Sequence, residues 1–90
     1  MTLRVDYPII NRLGLHARPS AKFVSLSARC PCAVWLERDG QRVNGKSIMG
    51  LMTLAAAQGT ILTLETDGEG EQDCADALLA LAADRFGEES

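Results

Sequence analysis

The only histidine of the chain, His16, lies in the segment Gly14-Leu15-His16-Ala17-Arg18-Pro19, with a permanently charged guanidinium two positions on. A helix is expected to begin here. Glycine permits an unusual turn, proline fits where first-turn amides lack an intrahelical acceptor, and Ala17 to Ala28 carries no further Gly or Pro. Those unbonded amides and the roughly half positive charge of the helix end favour an anion at the mouth where His16 sits. The same dipole disfavours a cation on the first turn, so the presence of Arg18 points to a use for its charge. Dipole and guanidinium both disfavour a protonated ring, and neutral imidazole is a competent nucleophile. The chemistry these residues suit is acceptance of a phosphoryl group on His16. Its oxygens would be held by the amides of Ala17 and Arg18 and by the Arg18 guanidinium. The same residues would also serve a regulatory module that only grips an anionic metabolite.

No P-loop, Gly-rich nucleotide fingerprint or acidic cluster for Mg²⁺ occurs in the sequence. Any phosphoryl group must therefore come from a partner protein, and no cofactor is expected. Three cysteines, an odd number, argue against a secreted disulfide framework. Zinc sites want four ligands, which Cys30-Pro31-Cys32 and the distant Cys74 do not supply. Reduced thiols are expected, with Cys30 and Cys32 at a helix-to-strand junction, Cys74 on an apolar helix face, and no metal.

The elements that must position His16 follow from hydrophobic period. Leu3, Val5, Tyr7 and Ile9 alternate with polar residues like a half-buried strand that Pro8 ends or places at an edge. A run from Ala33 to Leu36 and another at Gln41-Arg42-Val43 flank Asp39-Gly40, a hairpin signal because both turn positions need positive φ. Thr60 to Thr66 is a fourth strand, ended by Asp67-Gly68. In the first helix, Ser20, Phe23, Val24 and Ser27 form the expected core stripe. Ala17 and Ala21 lie beside it, where small side chains would let another protein come close or simply serve helix propensity. Cys74, Ala77, Leu78, Leu81 and Ala82 make the stripe of the last helix, preceded by Glu69, Glu71 and Asp73, which favour its dipole.

The middle helix is apolar on more of its circumference than one buried stripe requires. Ser47 is its expected N-cap, and Leu51 and Leu54 are its expected core residues. Ile48, Met49 and Met52 are then left as an exposed patch for partners, methionine being adaptable enough to repack against a donor and then an acceptor.

The stretches N-R-L-G-L-H-A-R-P-S-A-K-F-V and N-G-K-S-I-M-G-L-M-T-L-A-A-A-Q-G-T resemble the two signature regions of HPr, the histidine-containing phosphocarrier family of the bacterial phosphoenolpyruvate-dependent phosphotransferase system. The resemblance implies an α+β open-faced β-sandwich, a four-stranded antiparallel sheet with three helices on one face in the order βαββαβα. It implies that His16 accepts phosphate through Nδ1 from phosphorylated enzyme I and donates it to EIIA-type proteins, with Arg18 steadying the phosphate. Such a chain is a carrier with a transient phosphohistidine rather than a true catalyst. Ser47 would correspond to the regulatory serine that a dedicated kinase, opposed by a phosphorylase, modifies in many members, and the middle helix would border the active histidine and contact enzyme I and EIIA. The N-R-L-G-L-H-A-R-P opening, Pro31-Cys32 and Leu54-Ala55-Ala56-Ala57 look more like the nitrogen-related NPr branch of proteobacteria than a sugar-uptake HPr.

Ninety residues make one domain, 1–90, near the lower end of comfortable independent folding. A net charge of −3 gives little support to a nucleic-acid partner. The longest apolar stretch, Leu78 to Ala83, is far short of the roughly 20 residues of a membrane span. The opening Met1-Thr2-Leu3-Arg4-Val5-Asp6 alternates like a strand rather than a signal peptide, so a monomeric cytoplasmic protein is expected.

Overall fold

The computed structural model describes residues 2–90. Its elements run β1 (Thr2–Pro8), α1 (Ala17–Ser27), β2 (Ala33–Arg38), β3 (Gln41–Asn44), α2 (Ile48–Thr53), β4 (Ile61–Asp67) and α3 (Glu71–Ala83), followed by a 3₁₀ turn at Arg85–Gly87. The four strands form one antiparallel sheet in the order β1-β4-β2-β3. Pro8 closes β1, as expected, and Asp39 and Gly40 turn the β2–β3 hairpin at φ 49° and 84°. Both values lie in the left-handed region that the sequence demanded of this turn.

Strand alternation separates the two faces of the sheet. Tyr7, Leu62, Leu64, Val34 and Leu36 point into the core beneath the helices and are all buried. The other face carries Arg4, Glu65, Trp35 and Arg42. There Glu65 accepts from Arg4 Nη1 at 2.6 Å and from Arg42 Nη2 at 2.7 Å. The Arg42 guanidinium also lies 4.5 Å from the centre of the Trp35 ring, a cation–π contact that helps cover the open face.

The helices cover the apolar face through few but specific contacts. Phe23 meets Tyr7 edge-on at 5.6 Å, and the Tyr7 hydroxyl donates to the Leu78 carbonyl at 2.8 Å. Burial pushes the Tyr7 phenol far above its ordinary value, so it stays a donor. In α1, Ser20 and Ser27 are buried with Phe23, and Val24 is half-buried. The serines are tolerated because they donate to the carbonyls of Leu15 and Gly45. The α3 stripe is rotated from expectation: Cys74, Ala75, Leu78 and Ala82 are buried, whereas Ala77 is exposed and Leu81 only half-buried.

The cysteines correct one expectation. Cys30, just after α1, and Cys74, in the first turn of α3, form a disulfide, and only Cys32 remains a free thiol, buried in the core. Counting cysteines missed this because the residues are separated by 44 positions and meet only once α3 packs beside α1. No helix among the described residues is long and apolar enough to cross a membrane.

Candidate functional site

His16 is the N-cap of α1, with extended backbone and no side-chain capping bond, so its ring is free for other work. The loop before it is held tightly. Gly14 adopts φ +71°, and a Cβ there would collide with the carbonyl oxygen of Ala56. That same carbonyl accepts the Leu15 amide at 2.9 Å. Only glycine allows this close approach and this backbone. The Gly14 carbonyl in turn accepts the His16 amide at 3.0 Å and the Asn11 side-chain amide at 2.8 Å.

The first helical bond of α1 runs from the Ser20 amide to the His16 carbonyl at 3.0 Å, and Pro19 has no amide hydrogen. The amides of Ala17 and Arg18 therefore lie outside the helical ladder, in the two residues that follow His16. Arg18 is exposed and shares a concavity of about 290 Å³ with Arg12 and Lys22 and with the acidic Glu88 and Glu89. The concavity therefore mixes cations with carboxylates, and His16 meets it through Glu88.

The chain's C-terminal segment contributes what sequence reading missed. Glu88 Oε2 lies 2.8 Å from His16 Nε2, and Glu88 Oε1 accepts from Asn11 Nδ2 at 2.9 Å. The bond from Asn11 is the main cause that holds the Glu88 carboxyl below its usual range, with His16 adding to it. An ionised carboxylate only accepts, so His16 Nε2 carries a proton, and in the neutral ring the lone pair falls on Nδ1. No hydrogen bond reaches Nδ1 from the described residues. Fully buried Asn11 makes its two donor bonds at once, while its Oδ1 has no partner among the described residues, which fixes the amide orientation.

Glu88 is delivered by Phe86, a fully buried aromatic at φ 54° that anchors the tail in the core. Lys22 Nζ donates to the Phe86 carbonyl at 2.7 Å, and the Arg12 amide to the Ser90 carbonyl at 3.1 Å. A signal for this existed: Phe86 is the only apolar residue between Asp84 and Ser90, and it is followed by Gly87.

His16 itself borders a second, apolar hollow of about 300 Å³ lined by Leu13, Leu15, Met52 and Ala55 to Ala57. In α2, Leu51 and Leu54 are buried, whereas Met49 is 77% exposed, Met52 42% and Ile48 40%. Leu13, 62% exposed, extends this apolar surface and was not anticipated. Ala17 is exposed and Ala21 half-buried on α1. Ser47 caps α2, its Oγ accepting the Gly50 amide at 3.0 Å. The site thus joins an imidazole whose Nδ1 has no partner among the described residues, a concavity of mixed charge that holds Arg18, and an exposed apolar rim.

A family model described as "PTS HPr component phosphorylation site" matches residues 3–84. The phosphocarrier protein HPr of Cupriavidus necator is 56% identical over 86 residues, 96% of this chain and 97% of that protein. That of Neisseria meningitidis is 51% identical over 86 residues, with the same coverage. Among solved structures, HPr-C-His from Thermoanaerobacter tengcongensis superposes with a TM-score of 0.93 at 41% identity, covering 98% of this chain and 99% of that one.

Proposed function

This chain belongs to the HPr family of phosphocarriers of the phosphotransferase system, and from that premise we propose that His16 takes its phosphoryl group from phosphorylated enzyme I through Nδ1 and passes it to an EIIA-type protein. The observation that carries the assignment is the pairing of His16 Nε2 with Glu88, because it leaves the nucleophilic lone pair on Nδ1. In the forward step the Nδ1 lone pair attacks phosphorus as the bond to the donor's histidine nitrogen breaks. The leaving nitrogen keeps that electron pair, and the Nε2 proton stays hydrogen-bonded to Glu88. The phosphorylated ring carries its new negative charge at the start of α1, where the Ala17 and Arg18 amides and the Arg18 guanidinium would take it, with Arg12 and Lys22 balancing Glu88 and Glu89 in the adjoining concavity. Because Glu88 keeps the ring in one tautomer before and after transfer, little reorganisation is needed in either direction.

Docking falls to the apolar surface. Ile48, Met49, Met52 and Leu13, with Ala17 and Ala21 offering close approach on α1, form a rim that excludes water from the transferring phosphate. Ser47, at the base of that patch, is the residue a regulatory kinase would modify, since added charge there would meet any phosphorylated donor. Residues 1–90 act as one domain and as a monomer in this scheme.

The acceptor is an EIIA protein of the nitrogen-related or the sugar branch, and the leaning to the nitrogen-related one rests on overall sequence similarity alone. Transfer rates from the phosphorylated chain to one EIIA of each type, measured side by side, test this. Faster transfer to the sugar-type EIIA overturns the nitrogen-branch assignment, and transfer to neither overturns the carrier role.

A further inference from the structure

At the end of α1 remote from His16, the sulfur atoms of Cys30, Cys32 and Cys74 all lie within 4.8 Å of one another. Eleven helical residues, or about 16 Å, separate this cluster from the phosphoryl site. We propose that, when the Cys30–Cys74 bridge is reduced, the three thiolates form a binding site for a soft monovalent metal ion of the Cu(I) class.

The geometry fits such an ion. Trigonal coordination with metal–sulfur bonds of about 2.3 Å places the sulfurs about 4.0 Å apart. Once the bridge is reduced, the Cys30 and Cys74 sulfurs must part by about 2 Å from their bonded distance, while Cys32, already within 4.8 Å of both, closes by less than about 1 Å. Among the described residues no imidazole or carboxylate oxygen joins the three sulfurs. A structural zinc site wants a fourth ligand, whereas thiolates alone select Cu(I).

The surroundings also favour a compact site. Cys32 is 1% exposed and Cys74 4% exposed, while half-buried Cys30 borders an open groove lined by Leu26, Arg29, Pro31, Glu69, Gly70 and Asp73. The groove gives an ion a way in, and the core closes the other side. Gly68, at φ +127°, packs so that even a Cβ would touch the Cys32 backbone, which keeps the loop after β4 tight over the thiol. Three thiolates with one Cu(I) leave a local charge of −2. Lys46 Nζ donates to the Cys30 carbonyl at 2.8 Å and Arg29 flanks the groove, two cations set against the two carboxylates Glu69 and Asp73 on the groove's wall.

The bridge is the competing, oxidised state of the same sulfurs. A dithiol reductant opens it by exchange, yielding the Cys30 and Cys74 thiols and the cyclic disulfide of the reductant. Cu(I) then displaces one proton from each of the three thiols, with no change in oxidation state.

The test uses the full chain, reduced with a dithiol that is removed under argon, then titrated with Cu(I) against the chromogenic chelator bicinchoninate. The expected result is one Cu(I) per chain, near-ultraviolet thiolate-to-copper absorption, and protection of all three cysteines from alkylation as counted by mass spectrometry. Cys32→Ser should lower the affinity at least tenfold. If that variant fails to fold, the alkylation count on the unmodified chain decides alone. Failure to retain Cu(I), protection of only two thiols, or unchanged affinity in a folded Cys32→Ser protein overturns the proposal. So does displacement of the bound Cu(I) by an equal concentration of Zn²⁺.

Discussion

Glu88 accepts a hydrogen bond from His16 at 2.8 Å although 72 positions separate them, so the end of the chain sets the tautomer of the residue that starts its first helix. Glu88→Ala should leave the fold intact and release the ring. Phosphorylation of His16 should slow roughly ten- to a hundredfold, the worth of one hydrogen bond to a charged group at about 1.5–3 kcal/mol. Glu88→Gln, which keeps an acceptor for Nε2, should recover part of that loss. Nitrogen-15 chemical shifts of the ring should show a single Nε2-protonated tautomer in the parent and a mixture in Glu88→Ala. A single unchanged tautomer in Glu88→Ala would remove Glu88 from the mechanism.

The acid limb of stability should report the same contact. Glu88 and Glu65 both titrate below their ordinary range in the folded chain, through Asn11 and His16 in one case and Arg42 and Arg4 in the other. The unfolded chain therefore binds these protons first. The stability contributed by the two carboxylates is present above the unfolded carboxylate pKa of about 4.3 and is lost as pH falls through their lower folded values. Thermal midpoints measured from pH 6 down to pH 2 should fall less steeply in Glu65→Gln than in the parent. A slope unchanged in that variant would mean that the arginine clamp contributes nothing on acidification.

Substitutions in and around α2 should separate packing from docking. Leu51→Ala removes a fully buried side chain and should cost about 2–5 kcal/mol in denaturant melts. Met49→Asp, at 77% exposure, should scarcely change the melt yet weaken association with enzyme I and with EIIA, since a charge in a dry interface must be desolvated. Calorimetric titration checks both partners. Unfolding of Met49→Asp would assign the side chain to the core instead.

A charge at Ser47 should act on partners rather than on the fold. Aspartate can still accept the Gly50 amide and suits a helix start, so Ser47→Asp should keep the parent's stability. Its initial rate of phosphorylation by enzyme I should fall at low salt and partly recover near 1 M, where screening reaches to roughly 3 Å. Equal rates at low salt would leave Ser47 as a cap only.

Gly14→Ala should be the costliest single change in the loop before His16. Its Cβ meets the Ala56 carbonyl and its backbone lies at φ +71°, so a loss of about 2–4 kcal/mol is expected from thermal or denaturant unfolding. A melt within experimental error of the parent would show that the loop relaxes.

Local pattern made most of the fold legible. The period-2 strands, the Asp39-Gly40 turn, the α1 stripe of Ser20, Phe23 and Ser27, and the buried Leu51 and Leu54 of α2 all follow from spacing that neighbouring residues enforce. His16, Arg18 and the free first-turn amides were readable for the same reason, since a helix start is written in contiguous residues. What the sequence hid was long-range. Asn11, Glu88 and Lys22 meet only because Phe86 docks the tail, and Cys30 meets Cys74 only because two helices lie side by side. The α3 stripe shifted to Ala75 because an alanine-rich helix offers little contrast between its faces.

The most direct measurement is incubation of the chain with enzyme I and isotopically labelled phosphoenolpyruvate, followed by acid treatment and phosphorus-31 and nitrogen-15 spectroscopy. One acid-labile phosphate per chain is expected, bonded to His16 Nδ1 and absent from a folded His16→Ala protein, while Arg18→Ala should be phosphorylated more slowly but not prevented. Labelling of folded His16→Ala, phosphate on Nε2, or no labelling of the parent chain would contradict the phosphocarrier site described by His16, Glu88 and Arg18.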